Sequence, residues 1–130
     1  MDTGKFEVAD YYDLLNLHKA LLEAKFHENP DNELVSASPI IARFCNEIVD
    51  LLSSQKSEWQ GWRIIKNQKH FMERAVINAV SYYASTNNEW AGLTCEEKTV
   101  QAKNYTSPFI CDDEDIDQFI ETVTDRLNKI

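Results

Sequence analysis

Phe71-Met72-Glu73-Arg74-Ala75-Val76-Ile77-Asn78-Ala79-Val80-Ser81-Tyr82-Tyr83-Ala84 is the stretch that decides the fold. From Ala75 to Asn88 the chain has no charged side chain, although 27% of its residues are charged. Phe71, Met72, Ala75, Val76, Ala79, Val80 and Tyr83 recur at helical spacing, with Ile77 and Tyr82 on other sides. That apolar arc is wider than a surface helix needs, and such helices are covered by neighbours on several sides. The segment is shorter than the roughly 20 residues that span a bilayer. The spacing therefore predicts a buried central helix over 68–84. The fold expected around it is an all-α, single-domain bundle of five to six helices occupying residues 1–130.

Outward from this helix, the punctuation is clear on the N-terminal side. Tyr11, Leu14, Leu15, His18, Leu21, Leu22 and Phe26 share one face of a helix expected from about Val8 to His27, with Asp10 and Asp13 in its first turn. Pro30 pushes Asn29 out of helical dihedrals and ends it. Leu34-Val35 reads as a short extended link. Ser38 then caps and Pro39 occupies the first position of the next helix, where no amide donor is needed. Its apolar repeat runs from Ile40 to Leu52, and the helix is expected to end near Ser53. The segment 58–66, with Trp59, Trp62 and Ile65, reads as a short helix. Its β-branched and aromatic content with Gly61 would also suit a strand, but the chain offers that strand no convincing partner.

On the C-terminal side, Thr94 and Glu97 form a capping box. The helix they start, about Cys95 to Asn104, has a thin stripe of Val100, Ala102 and Tyr105, which predicts a peripheral position. Ser107-Pro108 closes it. The last helix starts near Asp112 or Asp113, with Ile116, Phe119, Ile120, Val123 and Leu127 on one face.

Net charge is −9, unevenly distributed. Residues 1–55 hold ten acidic and four basic side chains, net −6; residues 56–74 hold five basic and two acidic, net +3; residues 89–130 again hold ten and four, net −6. Both ends repel nucleic acid and anionic membranes and attract basic surfaces. The basic middle interleaves Trp59, Trp62, Arg63, Lys66 and Lys69, but its flanks oppose phosphate binding. The N-terminus is polar and partly acidic, unlike a signal peptide, so a cytoplasmic protein is expected. Cys45, Cys95 and Cys111 lack CxxC spacing and read as small core side chains in a reducing compartment. The sequon Asn104-Tyr105-Thr106 matters only in a secreted chain.

The chemical motifs are few. Asp113, Asp115 and Asp117 alternate like the first ligands of a calcium loop. Gln118 stands where that loop needs glycine and Thr124 where it needs a bidentate Glu. His18, His27 and His70 show no metal-ligand spacing. With three glycines, the chain has no GxGxxG and no phosphate-cradling loop, and no GxSxG elbow is present. No cofactor or metal is expected, and no enzymatic activity.

The acidic run Asp112, Asp113, Glu114, Asp115 and Asp117 exceeds what a helix N-terminus uses, so its surplus reads as a partner-binding surface. Trp59, Trp62 and Trp90 are candidate interface anchors. Together these predict a small acidic interaction protein. Its expected type is an immunity protein or antitoxin-type inhibitor that binds a basic toxin, such as a nuclease, with no nucleic acid or membrane partner. Two other classes fit the same residues: a regulatory or scaffold bundle acting through the tryptophans, and an enzyme whose site is assembled from dispersed residues.

Overall fold

A computed structural model describes residues 10–27 and 34–130. Among them the chain is all-α. Its helices are α1 (Tyr11–Lys25), α2 (Leu34–Ala37), α3 (Pro39–Gln55), α4 (Trp59–Trp62), α5 (Lys69–Ala84), α6 (Glu89–Gly92), α7 (Cys95–Thr106) and α8 (Asp113–Asn128), with one 3₁₀ turn at Ile65–Asn67. Three of the eight, α2, α4 and α6, are single turns of four residues. The remaining five are the longer helices that apolar periodicity can register.

The central helix is where its composition places it. α5 buries Ala75, Val76, Asn78, Ala79 and Tyr83 and packs against α8, α7 and α2. Around it Phe26, Ile65, Trp90, Ala102, Tyr105, Phe109, Ile116, Phe119 and Val123 complete the main core. A second, smaller core joins α1 to α3 through Leu14, Ile48 and Leu52, flanked by Tyr11, Leu17, Leu21 and Trp59.

The capping signals hold. Ser38 Oγ accepts from Ile41 N at 3.2 Å, with Pro39 at the first helical position. Thr94 and Glu97 satisfy each other's backbone donors, Glu97 N to Thr94 Oγ1 at 3.1 Å and Thr94 N to Glu97 Oε1 at 3.0 Å. These side chains satisfy amides that the first turn of a helix leaves without a backbone partner.

Several expectations need correction. α1 starts at Tyr11, with Asp10 as its N-cap rather than inside its first turn, and it ends at Lys25, short of His27. The expected start at Val8 and the Pro30 stop lie outside the described residues. Leu34-Val35 is helical, not extended, because α2 places Ser36 in contact with α1 and α5. α3 continues to Gln55, past Ser53. α7 is not peripheral: Ala102 and Tyr105 are fully buried, while Val100 is exposed. Cover from α8, α5, α2 and α3 buries it, and the thin stripe does not register those contacts. Of the cysteines, Cys95 is exposed, Cys111 half-buried and only Cys45 buried; all three are free.

The 58–66 segment satisfies both readings in part. Trp59–Trp62 is helical, and Ile64 then makes an isolated parallel bridge with Ile110. Ile110 N donates to Arg63 O at 2.8 Å, and Ile65 N donates to Ile110 O at 3.1 Å. One bridge is the whole extent of β structure among the described residues.

Candidate partner-binding surface

The acidic start of α8 divides into two sets. Asp112 is the N-cap in extended conformation, and Asp115 is the third helical residue. Asp115 N donates to Asp112 Oδ1 at 2.8 Å, and Asp112 N donates to Asp115 Oδ2 at 3.0 Å. This is a capping box built from two aspartates instead of Ser/Thr and Glu. Lys66 Nζ then donates to Asp112 Oδ2 at 2.6 Å and to Asp115 Oδ1 at 2.8 Å. Hydrogen bonds to these two carboxylates raise the Lys66 pKa. In return, the Lys66 ammonium first, and then the Asp115 amide, hold Asp112 below its ordinary value. These two carboxylates therefore tie the 3₁₀ turn to the start of α8, and Asp115 is buried. Both were candidates for partner contact; Asp115 is buried, and Asp112, though exposed, is engaged by Lys66.

Asp113, Glu114 and Asp117 make up the other set and are exposed. Asp113 and Asp117 continue into Glu121 and Asp125, four residues apart at each step, and both of these are exposed as well. Residues four apart lie on one side of a helix. The four therefore form a carboxylate stripe along most of α8, with Glu114 beside its upper end. None of the five makes an ion pair within the described residues. Like charges at this spacing disfavour the helix by a few tenths of a kcal/mol per pair.

Next to this stripe, α5 and α8 leave a groove of about 350 Å³. Ile65, Met72, Val76 and Phe119 line its apolar floor, and Lys69, Glu114 and Gln118 stand at its exposed edge. Across the lower part of the same helix pair, Arg126 Nη1 bonds Glu73 Oε1 at 2.8 Å.

The tryptophans face inward. Trp90 is buried against Tyr83 at 4.9 Å between ring centroids, and its Nε1 donates to Thr124 Oγ1 at 2.9 Å. As a surface anchor it is corrected: its one polar atom and its ring already have partners in the core. Trp59 and Trp62 are half-buried and meet edge to face at 5.2 Å. His18 packs edge-on against both, at 5.1 and 5.0 Å. Trp59 Nε1 donates to Tyr11 Oη at 3.1 Å, and Trp62 leans on Phe109 at 4.8 Å. Burial lowers the His18 pKa from 6.5 to about 4, and the Lys19 charge adds to this. His18 is thus a neutral core group at ordinary pH. Among the described residues no cluster of His, Cys, Asp and Glu is placed to hold a metal ion, and no helix is long and apolar enough to cross a membrane.

One buried group has no signal in the sequence. Lys25, the last residue of α1, is completely buried, and its Nζ donates to Tyr105 O at 2.7 Å. Its own carbonyl accepts from Ser36 Oγ at 2.6 Å and from Asn78 Nδ2 at 3.1 Å. One residue thereby links α1 to α2, α5 and α7. Burial lowers its pKa from 10.5 to about 7, against an opposing contribution from Cys45. A lysine in the last turn of a helix ordinarily reads as a solvated partner of the dipole. Only the packing of three other helices over it reveals the difference.

Comparison of the chain with family models, with curated proteins and with solved structures returned no match.

Proposed function

We propose that this chain is a small, non-enzymatic, acidic inhibitor. In this reading it acts in the cytoplasm as an immunity protein or antitoxin does, binding a basic protein toxin such as a nuclease. The observation that carries the reading is the exposed carboxylate stripe Asp113, Asp117, Glu121 and Asp125, with Glu114 beside it, none of which pairs with a base of the described chain. Nature of the partner follows from charge: enzymes that act on nucleic acid carry cationic clefts, and an acidic helix docks there quickly under electrostatic steering. The groove beside the stripe adds an apolar floor that can receive a side chain of the partner, as interface centres do. Exclusion of Asp112 and Asp115, which the Lys66 tie already engages, narrows the proposed surface to the outward residues of α8.

The test is co-expression with the product of the adjacent reading frame, followed by a binding titration. If that product is a basic toxin, the chain should relieve its toxicity. Asp113→Asn with Asp117→Asn should slow association and flatten its salt dependence. Equal association of wild type and variant at low and high salt would remove the stripe from the interface and overturn the reading.

A further inference from the structure

α3 is apolar on two faces. Ala42, Cys45, Ile48, Val49 and Leu52 are buried against the rest of the molecule. Ile40, Phe44 and Leu51 are not: they remain 56%, 42% and 48% exposed. At 100° per residue these three fall within roughly 40° of one another, forming a single outward strip about 16 Å long. Arg43, Glu47 and Asp50 run along the polar edge of that strip, all exposed. Asp50 is engaged by Arg63 of the same chain. Arg43 and Glu47 make no ion pair among the described residues; the Arg43 guanidinium instead lies 5.2 Å from the Phe44 ring centroid.

We propose that this face binds a second copy of the chain, with α3 antiparallel to α3 about a two-fold axis level with Asn46. A dyad lying in the interface plane, across the helices, keeps every residue on its own edge and reverses its height. Reversal about Asn46 sets Ile40 against Leu51 of the other copy and brings the two Phe44 rings together at the centre. On the polar edge it sets Arg43 between Glu47 and Asp50 of the other copy. The apolar edge therefore complements itself, and on the charged edge each Arg43 meets two acids of the other copy, which outweighs the single approach of Glu47 to Glu47. Along this face an exposed base and an exposed acid without ion pairs among the described residues occur together, whereas the α8 stripe carries acids alone.

The strip is small beside a standard interface, so the dimer is a weak one that forms toward high concentration. Because each chain carries a net charge of −9, the copies repel at long range, and added salt strengthens the association. A complex of the α8 stripe with a basic partner responds to salt in the opposite direction.

Sedimentation equilibrium on the whole chain tests the proposal, from micromolar to millimolar protein at low and high salt. The mass should rise from 15.1 kDa toward twice that value, further at high salt. Phe44→Glu and Leu51→Lys, both at exposed positions, should stay monomeric while keeping the wild-type circular dichroism spectrum. Arg43→Glu should weaken association about tenfold or more, since the contact occurs twice per dimer, and Arg43→Gln should weaken it less. A wild type that stays monomeric throughout would overturn the proposal, and so would a dimer indifferent to Phe44→Glu. Loss with the apolar variants but indifference to the charge variants would overturn the two-fold register and the proposal with it.

Discussion

α5 and α8 are each sixteen residues long and lie side by side, yet they are stabilised differently. α5 has no side-chain cap, no acid in its first turn and no base in its last. α8 has a double aspartate cap, three acids in its first turn and Arg126 in its last. A helix without local signals draws its stability from tertiary cover, which is the usual case in proteins. A helix with its own caps and a clean apolar stripe can afford a charged outer face. The contrast explains why the core sits on α5 and why the surplus charge sits on α8.

The largest expected effect breaks the comparison from the α5 side. Val76 is 3% exposed, and Val76→Asp would bury an unpaired carboxylate. Unfolding at ambient temperature is expected, well above the range of about 0.5–3 kcal/mol for ordinary substitutions. A variant that melts like wild type would show that α5 is not the covered helix.

Lys25, which touches α5 through Asn78, is the next test, and its sign can be worked out. In the native state its pKa lies near 7, while in the unfolded chain it returns to 10.5. The unfolded state therefore binds the extra proton between these values, and this group's contribution to stability falls as pH drops from 10.5 to about 7, then levels off. At about 1.4 kcal/mol per unit, the whole interval amounts to at most about 5 kcal/mol. Lys25→Met removes that slope together with the Lys25 hydrogen bond to the Tyr105 carbonyl. Chemical denaturation of both proteins across this range should show their stability difference changing with pH in that direction. A pH-independent difference would mean that Lys25 stays charged where it lies.

On the α8 side, Phe119 is fully buried. Phe119→Ala should cost about 3–5 kcal/mol by denaturant titration, as aromatic deletions in cores do. A cost below about 1 kcal/mol would place the α5–α8 seam outside the main core.

The smallest effects separate the two sets of acids at the start of α8. Asp115→Asn weakens the cap and the tie to Lys66, and a loss of about 1 kcal/mol is expected from the cap alone. Asp113→Asn with Asp117→Asn relieves repulsion and should change stability by no more than about 0.5 kcal/mol, in the stabilising direction if at all. Equal effects of the two changes, read from thermal melts, would erase the division between structural and outward carboxylates.

How much of this could be read from the chain depends on the kind of signal. α3, α5 and α8 repeat apolar side chains at helical spacing over at least sixteen residues, and caps at Ser38 and Thr94 announce themselves by residue type. α2, α4 and α6 are each a single turn, too short for any periodicity to register. The candidate surface was legible only in composition: five acids within six positions, Asp112 to Asp117, point to surplus charge without saying which are surplus. Lys66 makes that choice, and it stands 46 positions from Asp112 and 49 from Asp115.

The sequence by itself determined the all-α class, the uncharged central helix, the main caps and the strongly acidic balance. Each of these is local, set by residue type and spacing within one segment. Only the tertiary structure decided that Trp90 is a core residue and that Lys25 is buried. It also decided that Asp112 and Asp115 are bound to Lys66, and that α3 keeps a second apolar face in solvent. Those outcomes depend on which distant segments arrive beside a side chain, and contacts of that kind leave no periodic trace along the chain.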